Sequence, residues 1–433
     1  METKLKLISE LVEKDNSVKL TSLVHLINEE NLNQTFSEIS KNKAPGIDGV
    51  TAIEYGENLD YNIAKLIDTM KKGKYYPQPV KRVYIDKGNG KKRPLGLPSF
   101  EDKLVDTNIA KILNAIYEPI FLDCSYGFRP NRNCHQALKV LNDSINFKRV
   151  NFIIDADIKG FFDNVDKQIL IDMLKYNIKD KNFNKLIRKF IYAGVVEDGC
   201  KYKSEVGVPQ GGVSSPIYAN VYLHYVLDLW FEKVVKKTTK GYVKLVRYCD
   251  DFIILAETQE DTQNILKALK IRLLKFNLEL SKEKTKVIEL KRDDFDKDIK
   301  GPRTFDFLGF THFETKTRNG KFRIGRKTNG KRMSQKLGQI NQWLRLIRNQ
   351  AKLQDIWKQL CRKVVGYFQY HAVSDNVRNL KIFMQRVTEI LYKWINRRSQ
   401  KQSMNWKQFK RYLKFHPLPR PRVIHNFFIK KFV

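Results

Sequence analysis

Twice in this sequence a strand-length apolar run ends in carboxylates, and that pattern limits the available folds more than any other feature. The first run is Asn151-Phe-Ile-Ile-Asp-Ala-Asp157, followed closely by Phe161-Phe162-Asp163. The second is Arg247-Tyr-Cys-Asp-Asp251, set between the apolar stretches Val243–Val246 and Phe252–Leu255 like the tip of a β-hairpin. Successive strand side chains point to opposite faces, so Asp250 and Asp251 do not face one ligand equally. One of them is expected to be the principal ligand and the other to act at longer range or through the turn. Grouped carboxylates are unfavourable unless cations neutralise them. All-oxygen donors suit Mg²⁺, and two such ions about 4 Å apart can activate a hydroxyl and stabilise a phosphate leaving group. A lone Asp-Asp turn usually only punctuates a surface. Two strand-borne clusters in one chain point to metal chemistry.

The charge points to a polyanionic partner. The 433 residues include 81 Lys+Arg and 47 Asp+Glu, a net of +34, while 42% hydrophobic residues allow a sizeable core in two or three subdomains. Such an excess repels itself unless a polyanion such as nucleic acid offsets it. It is also uneven: residues 301–433 hold 31 basic and 5 acidic residues, leaving +8 for the first 300. A border is expected near Gly301-Pro302, after the charged stretch Lys291–Lys300, which reads as a loop. A solubilising surface or an anionic membrane are the other outlets for such charge, but no lipid-facing amphipathic stretch stands out. The five cysteines are scattered, with no Cys-x-x-Cys pair, which argues against a disulfide framework or zinc. His135, His224 and His371 have no metal spacing and read as structural. The charged start, Met1-Glu-Thr-Lys-Leu-Lys6, and the lack of a run of about eighteen apolar residues predict a cytoplasmic protein without a membrane span.

Periodicity supplies a coarse α+β reading. Leu20, Leu23, Val24, Leu26 and Ile27 have helical spacing within a helical segment Leu5–Ser40, which Pro45, Gly46 and Gly49 end. Val80–Asp86 reads as a strand, Lys87–Lys92 as a tight hairpin turn and Glu101–Tyr117 as a helix. Strands and helices alternate through Leu290, and beyond Met333 the pattern is mostly helical, with Ile340, Trp343, Leu344 and Ile347 on one apolar face. In this last third cations interleave with aromatics, from Lys321-Phe-Arg323 through Trp357 and Trp394 to Tyr412. Cations can follow a phosphate backbone while the rings pack a core or stack on bases.

With these motifs in order, the chain resembles the reverse transcriptases. Tyr248-Cys-Asp-Asp251 resembles their palm hairpin, and Asp157 with Phe161-Phe162 their first palm motif. Val208-Pro-Gln-Gly-Gly-Val-Ser-Ser-Pro216 resembles the loop that supports the templating base and incoming nucleotide. Further stretches narrow the resemblance to group II intron-encoded enzymes (maturases) and their bacterial relatives. They are Lys43–Thr51, Arg93-Pro-Leu-Gly-Leu-Pro98, Cys124-Ser-Tyr-Gly-Phe-Arg-Pro130, Leu223-His-Tyr-Val-Leu-Asp228, Phe305–Phe310, Gly366–His371, Asn396–Gln400 and Pro417–Arg422. Coverage is about residues 20 to 425.

The resemblance implies a right-hand polymerase fold. Residues 1–55 would form an N-terminal extension, 56–150 the fingers and start of the palm, 151–300 the palm with its antiparallel sheet, and 301–433 a basic helical thumb. It implies that Asp157, Asp250 and Asp251 hold two Mg²⁺ ions, which Mn²⁺ can replace. Lys87 and Arg93 would grip the dNTP triphosphate, as a point charge and a bidentate fork can. Gln210 would sit near the nascent pair, Phe162 would exclude a 2′-hydroxyl, and Lys284 would protonate the pyrophosphate. Arg129, Tyr248, Arg323, Arg326 and Lys327 would contact template and primer. The implied partners are an RNA template, a DNA primer and its cDNA product, and dNTPs; the oligomeric state is left open.

Two departures bear on role. Cys249 stands where the group II enzymes most often carry Ala, an enlargement expected to adjust the site beside the primer end. Neither a His-Asn-His pattern nor a cysteine pair follows the basic region, so no endonuclease domain is expected. The biological role is then either a stand-alone antiphage enzyme copying a partner non-coding RNA, or a maturase that promotes splicing and mobility of its own intron. An RNA-directed RNA polymerase sharing the palm is opposed by Phe162. A splicing factor without polymerase activity is opposed by the intact Asp157, Asp250 and Asp251.

Overall fold

The computed structural model describes residues 1–86, 92–202, 207–208, 211–292, 303–399 and 403–428. Among the described residues eleven strands run in chain order: β1 Val80–Asp86, β2 Lys92–Leu97, β3 Phe152–Asp157, β4 Val195–Glu197, β5 Cys200–Tyr202, β6 Val243–Tyr248, β7 Asp251–Ala256, β8 Lys286–Glu289, β9 Thr304–Phe307, β10 Phe310–Lys316 and β11 Phe322–Thr328. The chain divides into two compact units, one of residues 1–137 and 149–287, the other of 138–148 and 288–433. The division at Val287 precedes the Gly301-Pro302 break read from composition and assigns an earlier helical segment to the basic unit.

In the first unit one sheet has the order β6-β7-β3-β8, with β6, β7 and β3 antiparallel and β8 carrying the chain out of the unit. Ile153 and Ile154 on β3, and Phe252 through Ala256 on β7, are fully buried. Burial of consecutive residues means that both faces of these strands are covered. Each of the Ile, Leu and Phe side chains among them contributes roughly 1.5–3 kcal/mol of hydrophobic stabilisation. A second sheet has the order β2-β1-β4-β5, with β1 and β4 parallel and the outer pairs antiparallel. The helix Phe100–Tyr117, capped by Ser99, buries Leu104, Val105, Ile109, Ile112, Leu113 and Ile116, an apolar surface too broad for a one-sided helix.

The N-terminal segment corrects the periodicity reading. Two helices form, Glu2–Lys14 and Glu29–Glu38, and the residues with the clearest helical spacing lie between them. Leu20 bridges to Ile178, and the Asp180 carboxylate accepts hydrogen bonds from the backbone N–H of Leu23 (2.7 Å) and Val24 (2.9 Å). A carboxylate that claims two backbone donors leaves only the short 3₁₀ turn Val24–Leu26.

The second unit opens with a three-stranded antiparallel sheet, order β11-β10-β9, which the helical reading of 301–433 did not include. Helices Gly330–Ile347, Leu353–His371, Val377–Ile395 and Trp406–Phe415 follow. They pack around Ile340, Leu344, Leu360, Phe383, Leu391 and Phe409.

Candidate active site

The two acidic clusters meet at one end of the β6-β7-β3 sheet. Asp157, the last residue of β3, pairs directly across from Asp251, the first of β7, which also pairs with Tyr248 at the end of β6. Directly opposed residues of an antiparallel pair project to the same face, so the Asp157 and Asp251 carboxylates lie side by side. Asp250 sits in the two-residue turn Cys249-Asp250, half-buried.

The loop after Leu278 runs past the end of β3. Ser281 N–H donates to the Asp157 carbonyl (2.8 Å), and Thr285 N–H folds back to the Ser281 carbonyl (2.9 Å). This turn brings the Lys284 ammonium to 2.8 Å from Asp157 Oδ2, although the lysine side chain is 67% exposed. Gly160, in the left-handed region at φ 54°, turns the chain from β3 into the short helix Phe161–Asn164. There the half-buried Phe162 ring packs edge-on against Phe161, with centroids 5.3 Å apart, and its carbonyl accepts from Val208 N–H (2.8 Å). A Cβ on Gly207 would lie 2.9 Å from the Asp163 carbonyl, so only glycine lets the two segments approach.

The nucleotide-loop motif is held from beneath by Asp106. This carboxyl, buried in helix Phe100–Tyr117, accepts from Val213 N–H (2.6 Å) and from the Ser214 hydroxyl. Burial pushes it above the ordinary carboxylate range. Gly211 lies against β2 at Gly96, where a Cβ would meet the Gly96 carbonyl at 2.1 Å. Arg93 stands on β2 opposite Ile85 and is exposed. Lys87 and Gln210 lie outside the described residues.

Several expectations change. Arg129 does not face a template: it is 6% exposed, with Glu118 against Nε (3.0 Å) and Nη2 (2.9 Å) and the carbonyls of Leu122 and Ser125 against Nη1. Its charge locks the Cys124–Pro130 loop. Arg326 is likewise internal, 1% exposed and paired with Asp375 at 2.9 Å. Arg323 shares that carboxylate at 2.9 Å and is half-buried, whereas Lys327 is exposed on β11. Cys249 is only 4% exposed and packs into the core, and that burial pushes its thiol up to about 12. His224 is buried and pushed down to about 4 by desolvation, a neutral structural ring. A cavity of about 650 Å³ walled by His25, Ile67, Tyr75 and Leu186 brings none of the candidate residues together.

Asp157, Asp250 and Asp251 offer oxygen alone, which fits a hard ion, and the Lys284 ammonium already holds cationic charge at one carboxylate oxygen. Among the described residues no group of three or more His, Cys, Asp or Glu side chains is placed to hold a metal ion. Sequence reasoning missed Arg247, Asp228, Asn220 and Gly127, which lie beneath the turn. Arg247 and Asp228 occur in motifs singled out above, and a lone cation within an apolar strand was the available signal.

The match to a known family gives the class of the chain, that of the reverse transcriptases. The chain belongs to the reverse transcriptase (RNA-dependent DNA polymerase) family, whose pattern matches residues 85–312, and its domain is of the group II intron type. It is similar to the group II intron-encoded protein LtrA of Lactococcus lactis subsp. cremoris, 37% identical over 311 residues that cover 58% of this chain and 51% of LtrA. It is also similar to protein YkfC of Escherichia coli K12, 30% identical over 317 residues covering 65% of this chain and 78% of that protein. A putative COX1/OXI3 intron 1 protein of Saccharomyces cerevisiae is 32% identical over 234 residues, 50% of this chain and 28% of its own length. The chain thus spans about half the length of LtrA. Among the described residues no helix is long and apolar enough to cross a membrane.

Proposed function

We propose that this chain is an RNA-directed DNA polymerase that copies a structured RNA into cDNA, with Asp157, Asp250 and Asp251 as its catalytic carboxylates. The observation that carries this reading is the direct register of Asp157 against Asp251, with Asp250 in the adjoining turn. Divalent ions, two Mg²⁺ in this reading, would be held by these three residues and would supply Lewis-acid activation of the primer hydroxyl and charge neutralisation at the phosphates. The carboxylates set the position of the reacting ends. Lys284, free to leave Asp157 because it is largely exposed, delivers a proton to the departing pyrophosphate. Arg93 and Lys87 clasp the triphosphate, Gln210 meets the nascent pair, and the Phe162 ring closes the space a 2′-hydroxyl would need. Tyr248, half-buried beside Phe128, borders the primer end.

In this proposal residues 56–150 are fingers, 151–300 palm and 301–433 a thumb that grips an RNA–DNA duplex by its backbone. The excess of cations over acids in 301–433 supports that assignment. The intron-encoded names among its relatives favour an intron RNA as template over a separate non-coding RNA.

Primer extension on an RNA template with Mg²⁺ tests the reading. Extension with dNTPs is expected, with a loss of at least a thousandfold in Asp250→Ala/Asp251→Ala while RNA binding persists. Phe162→Ala is expected to admit rNTPs. Absence of extension by the intact protein on both generic and co-purified RNA would overturn the polymerase reading, and sequencing the co-purified RNA distinguishes intron from non-coding templates.

A further inference from the structure

The turn that carries Asp250 and Asp251 is held in a conformation its own residues do not favour. Cys249 has φ 59°, in the left-handed region, where a residue with a β-carbon is disfavoured. Such a conformation persists only where the surroundings over-determine it. Three motifs do so from below.

Arg247, the residue before Tyr248, is 0% exposed and sends its Nη1 to the Cys249 carbonyl (3.0 Å) and to Asn220 Oδ1 (3.0 Å). Its Nε and Nη2 grip Asp228, also 0% exposed, on both carboxylate oxygens. Asn220 Nδ2 donates to the Gly127 carbonyl (2.7 Å), and a Cβ on Gly127 would lie 2.5 Å from Cys249 N. The Arg247 backbone is pinned by Cys124 and Tyr126, at 2.8 and 2.9 Å.

The helix that supplies these partners is adapted to the task. Ser215–Leu223 continues into a π-helical turn, His224–Asp228. In an unbroken α-helix, Asn220 and Asp228 would point about 80° apart. The one-residue insertion of a π-turn reduces that to about 20°, so both reach one guanidinium. The Tyr225 and Val226 carbonyls in this turn are satisfied by Arg272, at 2.9 Å each. A buried ion pair is a poor source of stability, because well-packed apolar residues serve as well. What the pair provides here is a hydrogen bond aimed at one backbone carbonyl.

We infer that Asp228, Arg247 and Asn220 are positioning residues that fix the Cys249 carbonyl, and through it the Asp250 and Asp251 carboxylates, relative to Asp157. The inference rests on the reading of those three aspartates as the metal-holding site. It assigns a role to Leu223–Asp228 and Cys124–Pro130, two motifs the proposed function left without one.

The test is the full chain carrying Asp228→Leu and Arg247→Met together, an apolar replacement chosen to keep the fold. The expected result is a cooperative thermal transition like that of the parent and unchanged primer–template affinity. Mn²⁺ affinity, read by the EPR signal of the free ion, falls at least tenfold, and kcat for dNTP addition falls at least tenfold with KM little changed. Asn220→Ala, which removes only the neutral link, should fold and show a threefold to tenfold loss in Mn²⁺ affinity, and it carries the test should the double variant aggregate. A folded variant, double or Asn220→Ala, with parental Mn²⁺ affinity overturns the inference. Failure of the polymerase reading is separate: it shows as a parent that extends no primer, or as Mn²⁺ binding that survives Asp251→Ala.

Discussion

Each unit buries an arginine on a β-strand against an aspartate, and the two pairs are built differently. In the first unit Arg247 makes its contacts on every side: two oxygens of Asp228, the Asn220 amide and the Cys249 carbonyl. In the second, Arg326 gives Nη2 to Asn142 (2.7 Å) and Asp375 (2.9 Å), stacks over Phe427, and must share Asp375 with Arg323. Its Nε and Nη1 find no partner among the described residues. The first pair aims at a turn; the second pins a strand.

Residues 301–433 can spare few acids. Of the five in 301–433, Asp375 serves two arginines, Asp306 takes Asn329 (2.8 Å) and Thr311, Glu314 takes Lys291 N–H (2.9 Å), and Glu389 pairs with Arg386 (3.2 Å). Acids committed to structure leave the remaining cations for a polyanion, whereas the first unit spends its acids on geometry.

The largest effect that follows is on stability. Asp228→Ala strands a fully buried guanidinium and is expected to cost about 3–5 kcal/mol in chemical denaturation of the first unit. A loss under 1 kcal/mol would mean that water or a neighbour can serve Arg247, and the contrast between the pairs would fail.

A pH effect of up to about 3 kcal/mol comes next, from His224 on the same π-turn. Desolvation is the main cause of its depressed value of about 4; Asp228 raises it and Arg247 opposes that. Above the ordinary pKa of 6.5 the ring is neutral in both states, and its contribution is fully present. As pH falls from 6.5 toward 4, the unfolded chain takes up a proton that the folded one refuses, so stability declines across that window. His224→Phe should flatten the decline, measured as the difference between the two proteins' denaturation midpoints at pH 7.5 and 4.5. Parallel curves would place the acid sensitivity elsewhere.

The candidate carboxylates stood out because Asp157 and Asp251 end largely apolar strands, where acids need a reason. Helix Phe100–Tyr117 was legible to within a residue at its start. The clamp under the turn was not. Arg247 and Asp228 are 19 residues apart and meet through a π-turn, a period that helical templates do not contain. Arg129 and Arg326 were read as template contacts because sequence shows a cation's charge but not the carboxylate that buries it. Leu20–Ile27 failed through competition: a distant Asp180 took the backbone donors that a helix would have used.

The smallest effect separates two neighbours on β11. Side chains alternate along a strand, and Arg326 turns inward to Asp375 while Lys327 faces solvent above the Phe313 ring, 5.7 Å away. If the second unit grips nucleic acid through its exposed cations, Lys327→Gln should lower RNA affinity a few-fold and reduce the slope of log K against log salt by about one. Arg326→Met should leave that slope unchanged and alter stability by no more than about 1 kcal/mol, since two of its nitrogens are unpaired already and Arg323 keeps Asp375 partnered. Titrating RNA against both variants at several salt concentrations decides it. A slope change in Arg326→Met equal to that in Lys327→Gln would place the buried arginine at the phosphate backbone after all, and the division between cations that hold the fold and cations that hold the ligand would have to be redrawn.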